Sequence, residues 1–278
     1  MLRTWLLAAI FGCIAHAAPE AGMVDEAFRY LYNFDFQASH QLLNSYIAAH
    51  PQEALPYAIR ASAYLFYELD RLGILESEFL IDDKRIARKE KPLEPDPRVR
   101  AAFIKALDDT QSRATVALKI NPNDKQALFA MCIAQGVTTD YMAFVEKHQF
   151  RSLSPAERSN SYAQRLLKLD PGFYDAYLTA GLSEYLVGSL PFFIRWFVHF
   201  DNVDGSKAKG VQNLEIVARA GHYLKPFGKI LLCIIDLREK KYRDAQKLLV
   251  DLSRDYPENP LVRKELGKLN SKLSDSGN

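Results

Sequence analysis

An excess of charge of either sign is missing from this sequence. Its 36 Lys and Arg face 34 Asp and Glu over 278 residues, which leaves a net charge of +2. Such a balance gives no field to draw a polyanion, and no basic stripe with interleaved aromatics occurs, so nucleic-acid binding is not expected. Cysteine is scarce, with 3 residues in the chain. Cys132 and Cys233 lie far apart without metal-ligand spacing. Catalytic signatures are also absent: the chain has no P-loop, GxSxG, GxGxxG or HExxH. His40, His50, His148, His199 and His222 form no ligand pairing. In Asp201-Asn202-Val203-Asp204-Gly205-Ser206, aligning Gly205 to the sixth position of a calcium loop puts Phe200 first and Val211 last, where carboxylates are needed. No catalytic, cofactor-binding or metal-binding residue is therefore nominated, and the chain is not expected to be an enzyme.

What remains is a folding composition, 48% apolar and 25% charged. The first residues, MLRTWLLAAIFGCIAHA, carry Arg3, an apolar stretch from Trp5 to Ala15, and Ala15-His16-Ala17. That is the layout of a secretory signal peptide over 1–17, with cleavage after Ala17. Ile10-Phe11-Gly12-Cys13 also resembles a loose lipobox, in which Cys13 would carry a lipid. The periplasm or cell envelope is the expected location, with membrane association left open.

Self-similarity organises the rest. KKYRDAQKLLVDLSRDYPENP, residues 240–260, spaces Tyr242, Ala245, Leu249, Leu252 and Pro257 along one helix and its stop. The spacing returns as Phe36, Ser39, Leu43 and Tyr46 before Pro51; as Thr110, Ala114 and Ala117 before Pro122; and as Ser159, Ala163 and Leu166 before Pro171. Small residues suit a close helix approach, larger ones fill the groove between turns, and proline cannot continue the helix. The pattern resembles the second helix of the tetratricopeptide (TPR) repeat. In that family's frame the small position of the first helix falls on Ala61, Cys132, Gly181 and Cys233. Both cysteines are thus read as small apolar residues at tight crossings. The resemblance implies an all-α, right-handed α-solenoid over 23–273, followed by a polar tail at 274–278, and a general use in binding other proteins.

The frame gives five helix pairs: 23–33 with 35–50, 54–70 with 97–121, 125–146 with 155–169, 173–188 with 205–220, and 223–238 with 241–256. A closing helix at 260–273 would turn Lys264, Lys268 and Lys272 outward. Asp96 before Pro97 reads as an N-cap, Ser154 with Glu157 as a capping box, and Asp204 as the cap of the helix starting near Ser206. Extra residues gather between first and second helices, chiefly at 71–96 and 189–204. The first of these insertions has a possible helix at 74–90 with Leu75, Phe79 and Ile86 on its apolar side.

The second insertion, SLPFFIRWFVHFDNVDG at 189–205, packs Phe192, Phe193, Trp196, Phe197 and Phe200 around Arg195, with Ser189 as a possible cap. It is too short and too interrupted to span a membrane. Packing on the protein itself, a partner or small-ligand contact, and shallow membrane insertion all remain open. Concave positions of the frame fall on Ala58, Ser62, Leu65, Phe129, Ile133, Leu178, Leu182, Tyr185, Ile230 and Ile234, a mostly apolar set. Phe129 and Tyr185 join Phe192, Phe193, Arg195, Trp196, Phe197 and Phe200 as candidate partner-binding residues. The expected function is that of an exported scaffold or adaptor for protein partners. A membrane-peripheral or lipid-anchored envelope protein, and an accessory subunit of an enzyme, stand as alternatives.

Overall fold

Four helices stop one residue short of a proline, and each stops in the same way. The N–H groups of His50, Asn121, Asp170 and Tyr256 donate to Tyr46, Ala117, Leu166 and Leu252, each at 2.8 Å. Pro51, Pro122, Pro171 and Pro257 follow directly, where a continued helix would clash. The freed carbonyls are reused: Tyr57 Oη donates to Pro51 O (3.2 Å) and Tyr177 Oη to Pro171 O (3.3 Å). Arg113 Nε donates to Pro51 O (2.6 Å), and Arg165 to Pro122 O.

The computed structural model describes residues 21–81, 94–190 and 202–275. The leader with Cys13, residues 82–93 of the first insertion, and Phe192, Phe193, Arg195, Trp196, Phe197 and Phe200 lie outside the described residues. Among the described residues the chain is all-helical. The helices are α1 (Ala21–Tyr32), α2 (Phe36–Ala49), α3 (Leu55–Arg71), α4 (Pro97–Ile120), α5 (Lys125–Asp140), α6 (Leu153–Leu169), α7 (Tyr177–Ser189), α8 (Lys207–Ala220), α9 (Lys225–Arg238), α10 (Tyr242–Asp255) and α11 (Pro260–Asp275). A π-helical turn, Tyr141–Val145, prolongs α5, and a 3₁₀ turn, Tyr174–Ala176, precedes α7.

Each helix packs on its chain neighbours, and α1, α3 and α5 also pack on one another in succession. The recurring small residues sit at these crossings. Ser39 Oγ, fully buried, donates to Ala27 O (3.0 Å), and Ser159 Oγ donates to Cys132 O (2.8 Å). Cys132 and Cys233 are free, buried thiols. The closest approach joins α7 to α8 in antiparallel sense. A Cβ on Gly181 would lie 2.9 Å from Gly210 O, and one on Gly210 would lie 2.7 Å from Tyr185 N. The apolar stretch Lys125–Val145 is long and apolar enough to cross a membrane. It packs instead against α3, α4 and α6, as an all-round apolar core helix should.

Buried carboxylates fasten the returning ends of the insertions. Glu68 of α3 accepts from Asp96 N (2.8 Å) and pairs with Arg71 (2.8 Å). Glu184 of α7 accepts from Asp204 N (3.3 Å) and Ser206 N (3.0 Å) and pairs with Lys209 (2.6 Å). Burial opposes the charge on Glu184, but Lys209 and the two N–H groups outweigh it and hold the carboxyl below its usual range. Asp175 does the same for the start of α9, accepting from Tyr223 N (3.2 Å) and Leu224 N (2.9 Å).

The row of helices turns back on itself. Asn259 Nδ2 donates to Tyr32 O (2.7 Å), Tyr32 Oη to Tyr223 O (3.0 Å), and Glu258 N to Asn33 Oδ1 (3.2 Å). Phe28 stacks on Tyr223 with ring centroids 4.8 Å apart. Lys264 Nζ reaches Glu76 (2.7 Å), Lys268 Nζ reaches Glu78 (2.7 Å), and Ser77 Oγ donates to Glu265. Arg238 Nη1 donates to Leu80 O (3.0 Å).

Several local expectations are corrected. Lys264 and Lys268 grip the 76–80 segment instead of facing only solvent, because the last helix meets the first part of the chain. Asp96 caps α4 as expected, accepting from Arg98 N (2.7 Å). The capping box at Ser154 does not form: α6 starts at Leu153, and Ser154 Oγ accepts from Arg158 instead (2.8 Å). Ser206 and not Asp204 caps α8, accepting from Lys209 N (3.2 Å), while Asp204 pairs with Lys209 Nζ. Ser189 ends α7 and donates to Tyr185 O (2.7 Å), while the residues it was expected to cap lie outside the described residues. Of the helix expected at 74–90, Ser77–Leu80 is helical and 82–90 lie outside the described residues.

These contacts set the stability expected of three variants. Gly210→Ala should lower stability by about 1–3 kcal/mol through overpacking at the α7–α8 crossing. Gly267→Ala, whose Cβ meets nothing within 4 Å, should raise it by about 0.5–1 kcal/mol; urea titration of both variants checks the pair. Glu184→Ala should cost about 2–4 kcal/mol by orphaning the Asp204 and Ser206 N–H groups, read in the same titration.

Candidate ligand cavity

The turned-back row encloses an apolar cavity of about 280 Å³. First helices supply most of its wall: Leu31 and Tyr32 from α1, Phe66 and Leu69 from α3, Leu182, Tyr185 and Leu186 from α7, and Phe227, Ile230, Leu231 and Ile234 from α9. The 74–80 segment adds Ile74, Leu75 and Leu80, and α11 adds Leu261 and Val262. This convergence has a simple cause. The apolar stripe of each first helix faces inward, and closure of the row leaves no opposing layer to fill the middle.

Of the frame's concave positions, Leu182, Tyr185, Ile230 and Ile234 line the cavity. Ala58, Ser62, Leu65 and Leu178 are buried between helices. Phe129 has no exposed surface; it packs edge-on to Phe173 and stacks on Tyr223, so it offers nothing to a partner. Tyr185 is thus the one candidate partner-binding residue among the described residues that reaches the cavity. Leu186, one residue on, is 54% exposed.

Polar groups on this wall are few, and all but one are engaged or inert. Glu265 is held by Ser77 and Lys268. Arg238 is engaged at Leu80 O, and Tyr32 at Tyr223 O. Cys233 Sγ faces Ala245 O at 3.8 Å, and burial pushes its thiol up to about 12, far from a reactive thiolate. Carboxylate oxygens of Glu76, Glu78 and Glu265 lie within 4.8 Å of one another, but each is already paired with Lys264 or Lys268.

Asp140 is different. It stands at the end of α5, where the helix changes to the π-helical turn, and lines the cavity together with Phe144, four residues on. Asp140 is half-buried, on the cavity wall. Among the described residues its carboxyl has no hydrogen-bond or ion-pair partner. Burial alone pushes this carboxyl up to about 7; no charged neighbour contributes. Among the described residues, His40 Nδ1 beside Tyr64 and Tyr141 Oη on the ring stacked against Phe103 are buried without a hydrogen-bond partner, away from the cavity wall.

Asp140 was not among the residues nominated from sequence. One signal was present: it is the only acidic residue in the apolar run 127–145. An unpaired carboxylate there is costly unless something answers it.

No protein-family model, curated protein or solved structure matches the chain.

Asp140 makes stability depend on pH. Its folded-state pKa of about 7 lies above the ordinary 3.8, so folding favours the protonated form. That stability is fully present below about pH 4 and is lost as pH rises through about 7. Asp140→Asn should therefore gain on the wild type from pH 4 to 7 and hold a constant advantage above. Thermal melts across this range check it.

Proposed function

We propose that this protein acts by binding and not by catalysis, as an exported, TPR-like adaptor of the cell envelope whose interior holds an apolar ligand. The observation that carries this reading is the convergence of five first helices and the closing helix on one enclosed apolar volume. A volume of about 280 Å³ lies near the lower end of small-ligand pockets, roughly 300–1,000 Å³. The polar contacts of its wall support binding: among the described residues no histidine lines it, and its cysteine is held protonated. The repeat spacing supports the adaptor half of the reading, and residues 1–17 support export. Bound ligand would then bias the closed arrangement of the row that a protein partner meets.

The neutral fluorophore N-phenyl-1-naphthylamine should bind saturably at one site per chain, with enhanced emission. Ile234→Trp, or Leu182→Trp if that variant misfolds, should abolish the signal while far-UV circular dichroism is unchanged. Fluorescence that never saturates, or that survives a folded cavity-filling variant, would sink the proposal.

A further inference from the structure

We infer that the cavity's ligand is a small amphiphile with an apolar body and one protonated nitrogen, held by the Asp140 carboxylate. The inference rests on the reading of the cavity as a binding site. It goes further by naming the ligand's charge.

Partnering separates Asp140 from the other buried acids. Glu68, Asp175 and Glu184 each accept backbone N–H bonds, and Glu68 and Glu184 also pair with a cation. Glu265, on the cavity wall, has Lys268 at 2.9 Å. Among the described acids of the cavity wall, Asp140 alone has no partner. A buried carboxyl left so is a standing cost, removed when a donor or cation arrives.

Three ligand chemistries can be weighed against this wall. A ligand carboxylate would place like charges together in an apolar enclosure and is disfavoured. A hydroxyl would supply one neutral hydrogen bond. A protonated amine supplies a charge-assisted bond and converts Asp140 to its ionised form, the strongest of the three. The aromatic residues of the wall point the same way. Phe66, Phe144, Tyr185 and Phe227 all line the cavity, and aromatic faces attract a desolvated cation, while their bodies accommodate its alkyl chain. Cavity size then limits the ligand to a small molecule.

Calorimetric titration of the full chain with decylamine, decanol and decanoate, below their aggregation concentrations, tests the inference. At pH 7.5 decylamine should bind about tenfold or more tighter than decanol, and decanoate more weakly than decanol. Asp140→Asn should bring decylamine to the level of decanol and leave decanol within about twofold. Asp140→Glu, which keeps the charge, should retain the amine preference and guards against misfolding of the first variant. If decanol binds the wild type as tightly as decylamine, or if a folded Asp140→Asn keeps the preference, the charge inference fails while the cavity reading stands. If none of the three ligands binds, both fail.

Discussion

Closure of the helical row is the constraint on which the interior depends. An open row of helices would leave the inward stripes of α1, α3, α5, α7 and α9 facing water. Here the end of α1 meets the turn before α11: Asn259 satisfies the Tyr32 carbonyl, and Tyr32 reaches the Tyr223 carbonyl. These are buried or half-buried polar contacts between residues 191 and 227 positions apart, and their geometry fixes the closed arrangement more narrowly than apolar packing alone. The lysines of α11 and the acids of the 76–80 segment extend the same seam.

Two local devices make that closure possible. Glycine and other small residues bring α7 and α8 within backbone contact, and serines at the repeated position tie α2 to α1 and α6 to α5. Buried carboxylates on first helices then collect the N–H groups where the long insertions return. An insertion held at its return leaves the helix pair behind it undisturbed. The insertions therefore do not disrupt the packing of successive pairs.

The cavity is the consequence. Side chains chosen to be apolar on one stripe of each helix meet around a centre too small for another element and too large for them to fill. Within it the unpartnered carboxyl of Asp140 sits where α5 changes from α- to π-helical geometry, a kind of irregularity common at binding sites. Among the described residues the buried acids Glu68, Asp175, Glu184 and Glu265 all have partners, while Asp140, on the cavity wall, has none. This is the physical basis for regarding the protein as a binder of an apolar cation.

The sequence by itself determined the helices. Period, small positions and prolines placed their bounds within two residues of those observed, except at 173–188, where a 3₁₀ turn intervenes, and at 125–146, where the α-helix gives way to a π-helical turn after Asp140. It also determined the fate of Ser39, Ser159, Cys132 and Gly181, because close crossings leave a mark at fixed spacing. Capping differs at Asp204 because the Ser206 hydroxyl takes the Lys209 N–H, and at Ser154 because the helix already begins at Leu153. The cavity and Asp140 were decided by tertiary structure alone. Whether the inward stripes stay open, fill one another or enclose a space depends on the accumulated angle between successive helices. That angle is a sum over many packing contacts and is written at no single position. Phe129, given the same concave position in the repeat frame as the cavity residues, is fully buried for this reason, while Tyr185 reaches the cavity.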